Sequence, residues 1–138
     1  MDLRKITEDF SVSPQIAASD IPGIVAAGFK SILCNRPDFE EPNQCCFGDV
    51  AEAAEEAGLI VRSVPIVSGQ IRSQDMVDFK RALDEMPRPV LAYCRSGTRC
   101  TMLWTVAKFG EIAPEDILRM TGQAGYDMSG IVHQMMNR

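Results

Sequence analysis

The stretch VLAYCRSGTRCTMLW, residues 90–104, decides how the rest of the chain is read. Val90 to Tyr93 form an apolar run too short for a helix and bounded by turn residues, which predicts a short buried strand. Pro87 and Pro89 close the segment before it. The run ends at Cys94, Arg95 to Arg99 follow as a tight turn containing Gly97, and a helix is predicted from about Thr101 to Phe109. Strand, glycine turn and helix in direct succession suit a parallel α/β sheet, where ligands bind beyond the carboxyl ends of the strands. Cys94 falls at such an end. Successive backbone N–H groups in this turn can converge as an anion-binding nest, and the positive end of the following helix adds to the field. Both effects stabilise a thiolate, so Cys94 is expected to be an acidified nucleophile near neutral pH. Arg99 stands four intervening residues beyond Cys94 and can fold its planar fork back over a bound oxyanion.

Outward from this turn, β-like runs alternate with helical ones. Phe10 to Ser13 reads as a strand. Ser19 is expected to cap a helix to about Ala27, with Pro22 in its first turn and Gly28 as its stop. Phe29 to Cys34 reads as a second strand, and Asn35 to Phe47 is too long for a plain connection, so it is either functional or a covering loop. Asp49 to Ala57 (DVAEAAEEA) predicts a helix stopped by Gly58, and Leu59 to Pro65 a strand. After a Ser68-Gly69 turn, Ser73 opens a helix to about Met86, and two more start near Pro114 and Asp127. The alternation predicts an α/β fold in one domain, residues 1–138, with a mainly parallel central sheet of about four to five strands flanked by helices.

The chain has 138 residues, 46% apolar and 24% charged, which are ordinary globular proportions. A length near the modal domain size allows a core that needs no disulfide or metal. Fourteen basic against nineteen acidic residues give a net charge of −5, which argues against nucleic acid or an anionic membrane as a partner. A small anion held by a local cationic pocket remains compatible with that sign. No apolar run approaches a membrane span, and MDLRKITEDF lacks the apolar stretch of a secretory signal. Five cysteines without metal-ligand spacing are read as reduced thiols of a cytoplasmic protein. His133 is the only histidine, so neither a metal site nor a cofactor is expected.

Cysteine, glycine-containing turn and arginine between strand and helix resemble the signature loop of cysteine-dependent tyrosine and dual-specificity phosphatases. Over nearly its whole length the chain is similar to the phosphatase-like domain family found fused to β-lactamase-like hydrolases, with CRSGTR the strongest stretch. The resemblance implies a dual-specificity-phosphatase-like fold and a Cys94 thiolate that attacks a phosphate ester, with Arg99 and the 95–99 amides on its oxygens. Three departures stand out. The phosphatase loop normally encloses five residues between cysteine and arginine, where Cys94 and Arg99 enclose four. Tyr93 replaces the usual preceding histidine, and the loop IVSGQIRSQ carries no acid before Asp75 where the general acid normally lies. The shorter loop resembles that of rhodanese sulfurtransferases, which implies a Cys94 persulfide as the alternative chemistry. A non-catalytic anion-binding module is the third reading.

The candidate site is therefore Cys94 and Arg99 as catalytic residues, with Arg95, Ser96, Gly97, Thr98 and Cys100 as anion-binding ones. Cys100 takes the place after the arginine where phosphatases carry Ser or Thr, with Thr101 as a substitute donor; it can also act as a resolving thiol or simply pack. Asp38, Glu40 and Glu41 can replace the missing acid if their loop folds over the site, against a default of a solvated acidic loop. Asp75 reads as a first-turn helix acid, Arg36 and Arg72 as pocket linings or surface ion pairs, and Tyr93 as a determinant of pocket depth. The expected partner is a small anionic substrate or phosphorylated ligand; the oligomeric state is not readable.

Overall fold

The structure is a computed structural model that describes residues 1–137. Five four-residue strands form one sheet: β1 (Arg4–Thr7), β2 (Phe10–Ser13), β3 (Ser31–Cys34), β4 (Ile60–Ser63) and β5 (Val90–Tyr93), in the order β1-β2-β5-β3-β4. The β1–β2 pair is antiparallel and the other three pairs are parallel, as the alternation of strands and helices implied. β5, last in sequence, lies at the centre, and all four of its residues are buried.

Period-two alternation along β5 sorts the core into its two layers. Leu91 and Tyr93 face a cluster with Ile21 and Ile24 of α1 (Ile21–Ala26) and Val50 and Ala54 of α2 (Phe47–Glu56). Val90, Ala92 and Cys94 face the other side. There they meet Phe79 of α3 (Ser73–Glu85), Leu103 and Trp104 of α4 (Thr98–Lys108), Ile117 of α5 (Pro114–Gln123) and Val132 of α6 (Ser129–Met136). The Trp104 ring stacks on Phe10 at a centroid distance of 6.3 Å. Each of these large side chains stabilises the fold by about 1.5–3 kcal/mol through burial alone.

Three local expectations are corrected. The first helix is preceded by a single 3₁₀ turn, Ala18–Asp20; Asp20 rather than Ser19 stands at its N-cap, and the Asp20 carboxylate accepts the Ala17 N–H at 2.9 Å across that turn. α4 starts at Thr98, three residues earlier than predicted, so that Arg99 and Cys100 sit in its first turn. Tyr93 is buried in the α1–α2 layer and does not line the cavity beside the 94–99 turn.

The registers place the site. Ser13 and Cys34 both pair with Tyr93, and Ser63 pairs with Cys34, so four parallel strands end level. The four segments leaving those ends are cross-linked. The Gln15 N–H donates to the Arg95 carbonyl at 3.3 Å and the Asn35 N–H to that of Tyr93 at 2.9 Å. Asn35 Nδ2 donates to the Val64 carbonyl at 2.9 Å. The carboxyl edge of the sheet is thereby one stitched surface. No helix is long and apolar enough to cross a membrane among the described residues.

Candidate active site

The turn after β5 closes on a left-handed residue. Gly97 has φ 88° and ψ −9°, a conformation an L side chain adopts only at a cost, and its carbonyl begins α4. The consequence is geometric: the Gly97 N–H points back and donates to Cys94 Sγ at 3.1 Å. The amides of Cys100 and Ser96 and the Cys100 thiol add to the stabilisation of a thiolate there. The group these donors converge on is the Cys94 sulfur itself.

These donors bring the Cys94 pKa down to about 5, the Cys100 thiol contributing most, against the opposing cost of burial. Cys100 is fully buried, and that burial together with the neighbouring thiolate pushes its own pKa well up. The two thiols are driven apart: Cys94 an anion at neutral pH, Cys100 a protonated donor to it. Thr101 does not serve as this donor, because its hydroxyl is committed to the Gly97 carbonyl at 2.8 Å. Cys100→Ala should therefore raise the Cys94 titration midpoint by about 1 unit or more, a charged hydrogen bond being lost. Cys100→Ser should raise it less. Thiolate ultraviolet absorbance against pH, referenced to a Cys94→Ser control, measures both; an unmoved midpoint in Cys100→Ala removes this role.

Arg99 is 9% exposed and lines a cavity of about 470 Å³ with Arg95, Ser96, Thr98, Ser68, Gly69, Ile71 and Met102. The cavity wall opposite the turn is the segment after β4, where Ser68, Gly69 and Ile71 come from the acid-free loop. Ser96 and Thr98 pair their hydroxyls at 2.9 Å on the exposed side of the turn. Behind the turn, Tyr126 donates its hydroxyl to the Ser96 carbonyl at 2.9 Å, while its ring packs under Arg4 at 5.2 Å.

The long 35–47 connection folds over this edge. Glu40 accepts Arg99 Nη1 at 2.7 Å and Nη2 at 2.8 Å, and Arg36 Nε at 2.9 Å. Glu41 accepts Arg95 Nε at 2.8 Å and lies 3.4 Å from Arg36 Nη2. The Arg99 guanidinium holds the Glu40 carboxyl below its ordinary range, so Glu40 is an anion rather than a proton donor. Asp38 accepts the Phe47 N–H at 2.9 Å at the start of α2. Asp75 caps α3 by accepting the Arg72 N–H at 2.9 Å and pairs with the Arg72 guanidinium. Arg36 is buried beneath the loop, whereas Arg72 lies outside the cavity. All five cysteines are free. Of them, Cys34 is held as a thiol by burial.

Sequence reasoning singled out the turn whose Gly97 N–H lies on the Cys94 sulfur and whose Arg95, Ser96, Thr98 and Arg99 line the cavity. It missed Tyr126 and the Ile66 carbonyl, which accepts Arg99 Nη1 at 2.9 Å. Neither carries a local sequence signal, since a carbonyl has no residue identity and Tyr126 arrives from a separate helix connection.

The family model described as beta-lactamase hydrolase-like protein, phosphatase-like domain, matches residues 2–111. A beta-lactamase hydrolase-like protein of Xylella fastidiosa is 32% identical over 136 residues, covering 96% of this chain and 31% of the relative. The chain thus spans about a third of that relative's length. Among solved structures, a candidate phosphatase from Neisseria meningitidis is 33% identical with a TM-score of 0.88, covering 99% of this chain and 98% of that one. P. aeruginosa TpbA, solved in complex with pTyr, is 16% identical with a TM-score of 0.67, covering 92% and 76%. The fold is that of the cysteine-dependent phosphatases.

Proposed function

The chain belongs to the phosphatase-like domain family of beta-lactamase hydrolase-like proteins, and on that premise we propose that it hydrolyses phosphate monoesters through the Cys94 thiolate. The observation that carries the reading is a strand-end thiolate wrapped by turn amides, with Arg99 of the same turn lining the adjoining cavity. Cys94 Sγ attacks phosphorus, the phosphorus–oxygen ester bond breaks, and the departing oxygen takes a proton from water. Water then hydrolyses the phosphocysteine and regenerates the thiolate. Arg99 and the 95–99 amides hold the equatorial oxygens, which is most of what phosphoryl transfer asks of a protein. Cys94 is completely buried, with the Gly97 N–H on its sulfur. Entry of an oxyanion must therefore move the turn outward, its oxygens taking over amides that now serve the sulfur.

Substrate class follows from the leaving group. The carboxylates at the mouth, Glu40 and Glu41, are both paired with arginines. A phenolic oxygen, with a pKa near 10, departs with less need of an acid than an alkanol does. Ile71 and Met102 on the cavity wall suit an aryl ring. An aryl phosphate is thus the preferred substrate, and the pTyr ligand of the related TpbA fold supports it. The test is release of inorganic phosphate from p-nitrophenyl phosphate under reducing conditions with a chelator present. Turnover that survives the chelator supports the proposal; no release sinks it. The six-residue Cys94–Arg99 loop, closed directly on sulfur, favours one competing chemistry, sulfur transfer. A gain of one sulfur in mass on Cys94 after thiosulfate treatment, without phosphate release, selects it.

A further inference from the structure

The hydrogen bonds of Arg99 leave a countable remainder. A guanidinium has five N–H groups. Nη1 donates to Glu40 Oε2 and to the Ile66 carbonyl, at 2.7 and 2.9 Å, which uses both of its hydrogens. Nη2 donates once, to Glu40 Oε1 at 2.8 Å. The end of the fork is therefore filled, while Nε–H and the outer Nη2–H, two parallel donors on one side, have no partner among the described residues. That side edge matches two oxygens of a tetrahedral anion as well as the end does.

We propose that Glu40 is the positioning residue of the anion site: it clamps one edge of Arg99 so that the other edge is presented, rigid, to the oxyanion. The inference deepens the reading that the 94–99 turn binds an oxyanion, and rests on it. Glu40 is itself held from several sides. Arg36, buried and anchored to Gln15 Oε1 at 2.9 Å, donates to it. Gln44 Oε1 takes the Glu40 N–H at 3.0 Å, and Gln44 Nε2 donates to the Pro37 carbonyl at 2.8 Å. The 35–47 connection is thus a strut of the site, running from β3 across its mouth. Without it, Arg99 would keep only the Ile66 carbonyl as an anchor, and a long side chain with one anchor loses its bidentate alignment. The opposite role, a carboxylate that plugs the site and must be expelled, predicts the reverse effects.

The experiment compares the wild-type chain with Glu40→Gln and Glu40→Asp. Binding of inorganic phosphate is read by calorimetry, kcat and KM on p-nitrophenyl phosphate by kinetics, and Cys94 alkylation by neutral iodoacetamide as a control. Glu40→Gln is expected to weaken phosphate binding and to lower kcat/KM by tenfold to a hundredfold, on the order of what misplacing a binding group costs. Glu40→Asp, which keeps the charge, should recover part of both. The iodoacetamide rate should stay within about twofold, because a neutral reagent does not use Arg99. Tighter phosphate binding in Glu40→Gln overturns the proposal in favour of the plug, and unchanged binding overturns it outright. An iodoacetamide rate that falls along with phosphate binding also overturns it, by making the role merely structural. Wild-type phosphate binding that Glu40→Gln weakens, with no turnover in either, leaves the inference standing and removes only the hydrolytic reading.

Discussion

Cys94→Ser should lose phosphate release from an aryl phosphate by on the order of a thousandfold or more, while the chain still folds. The magnitude follows from the ionisation state of the proposed nucleophile. With a pKa of about 5, Cys94 is almost wholly thiolate at pH 7; an ordinary cysteine there is only a few per cent ionised. A serine hydroxyl in the same nest does not ionise in this range, so the amides that stabilise sulfur's charge have none to stabilise. The sign of the pH dependence follows as well. In the wild-type chain kcat/KM should rise with pH through about 5 and level off by neutrality, since deprotonation of free Cys94 creates the reactive form. A limb near pH 8.5 would instead mark an ordinary thiol and contradict the nest. Serine is nearly isosteric with the completely buried Cys94, so circular dichroism of the variant should remain close to wild type. Its melting transition at pH 7 should fall somewhat, because the folded state loses a thiolate whose lowered pKa stabilises it there. A variant that keeps more than a tenth of the activity would show that Cys94 is not the nucleophile.

What the sequence could reveal here was local. CRSGTR contains the positive-φ glycine, and the strand before it and the helix after it are its immediate neighbours. That is why a candidate site could be read from a single line of residues. The start of α4 was placed too late because Thr98 and Cys100, which flank Arg99, carry little helix propensity. Buried residues on several sides of this helix also leave no amphipathic stripe to read. β1 escaped notice because four residues with one buried member, Ile6, offer no measurable alternation; it is an edge strand held by its hairpin with β2. The role of the 35–47 connection was invisible for a different reason. Its key contact joins Glu40 to Arg99 across 59 positions, and only the strand order, with β5 inserted between β2 and β3, brings the two together. A solvated acidic loop and an arginine clamp have the same composition; topology alone tells them apart. The net charge of −5 is equally uninformative about the site, where three arginines and two glutamates interlock beside one thiolate.

Gly97→Ala should be the most damaging single methyl in the turn. Two costs coincide at this position. At φ 88° an alanine is strained by about 1–2 kcal/mol. Its Cβ would also fall on the Tyr126 hydroxyl, with Tyr126 Cζ only 3.1 Å away and the Ser13 carbonyl 3.4 Å away. Tyr126 cannot retreat cheaply, because it is 8% exposed, covered by Arg4 and bonded to the Ser96 carbonyl. A stability loss of about 2–4 kcal/mol is expected, roughly a 10 °C fall in Tm for a chain of this size. Activity should fall at least a hundredfold even where the protein is folded, since the Gly97 N–H is the 3.1 Å donor to Cys94 Sγ and moving the turn removes it. The two costs can be separated with Tyr126→Phe. In the wild-type background that change should destabilise by about 1 kcal/mol, the value of the hydroxyl's hydrogen bond. In the Gly97→Ala background it should instead stabilise, because the oxygen removed is the one the new methyl strikes. The double-mutant cycle thus predicts a change of sign, and strictly additive effects would show that the strain lies in the backbone alone. Either way the Cys94 titration midpoint in Gly97→Ala should move up from about 5, because the thiolate loses one of its backbone donors. A midpoint left unchanged would detach the glycine from the chemistry of the cysteine it encloses.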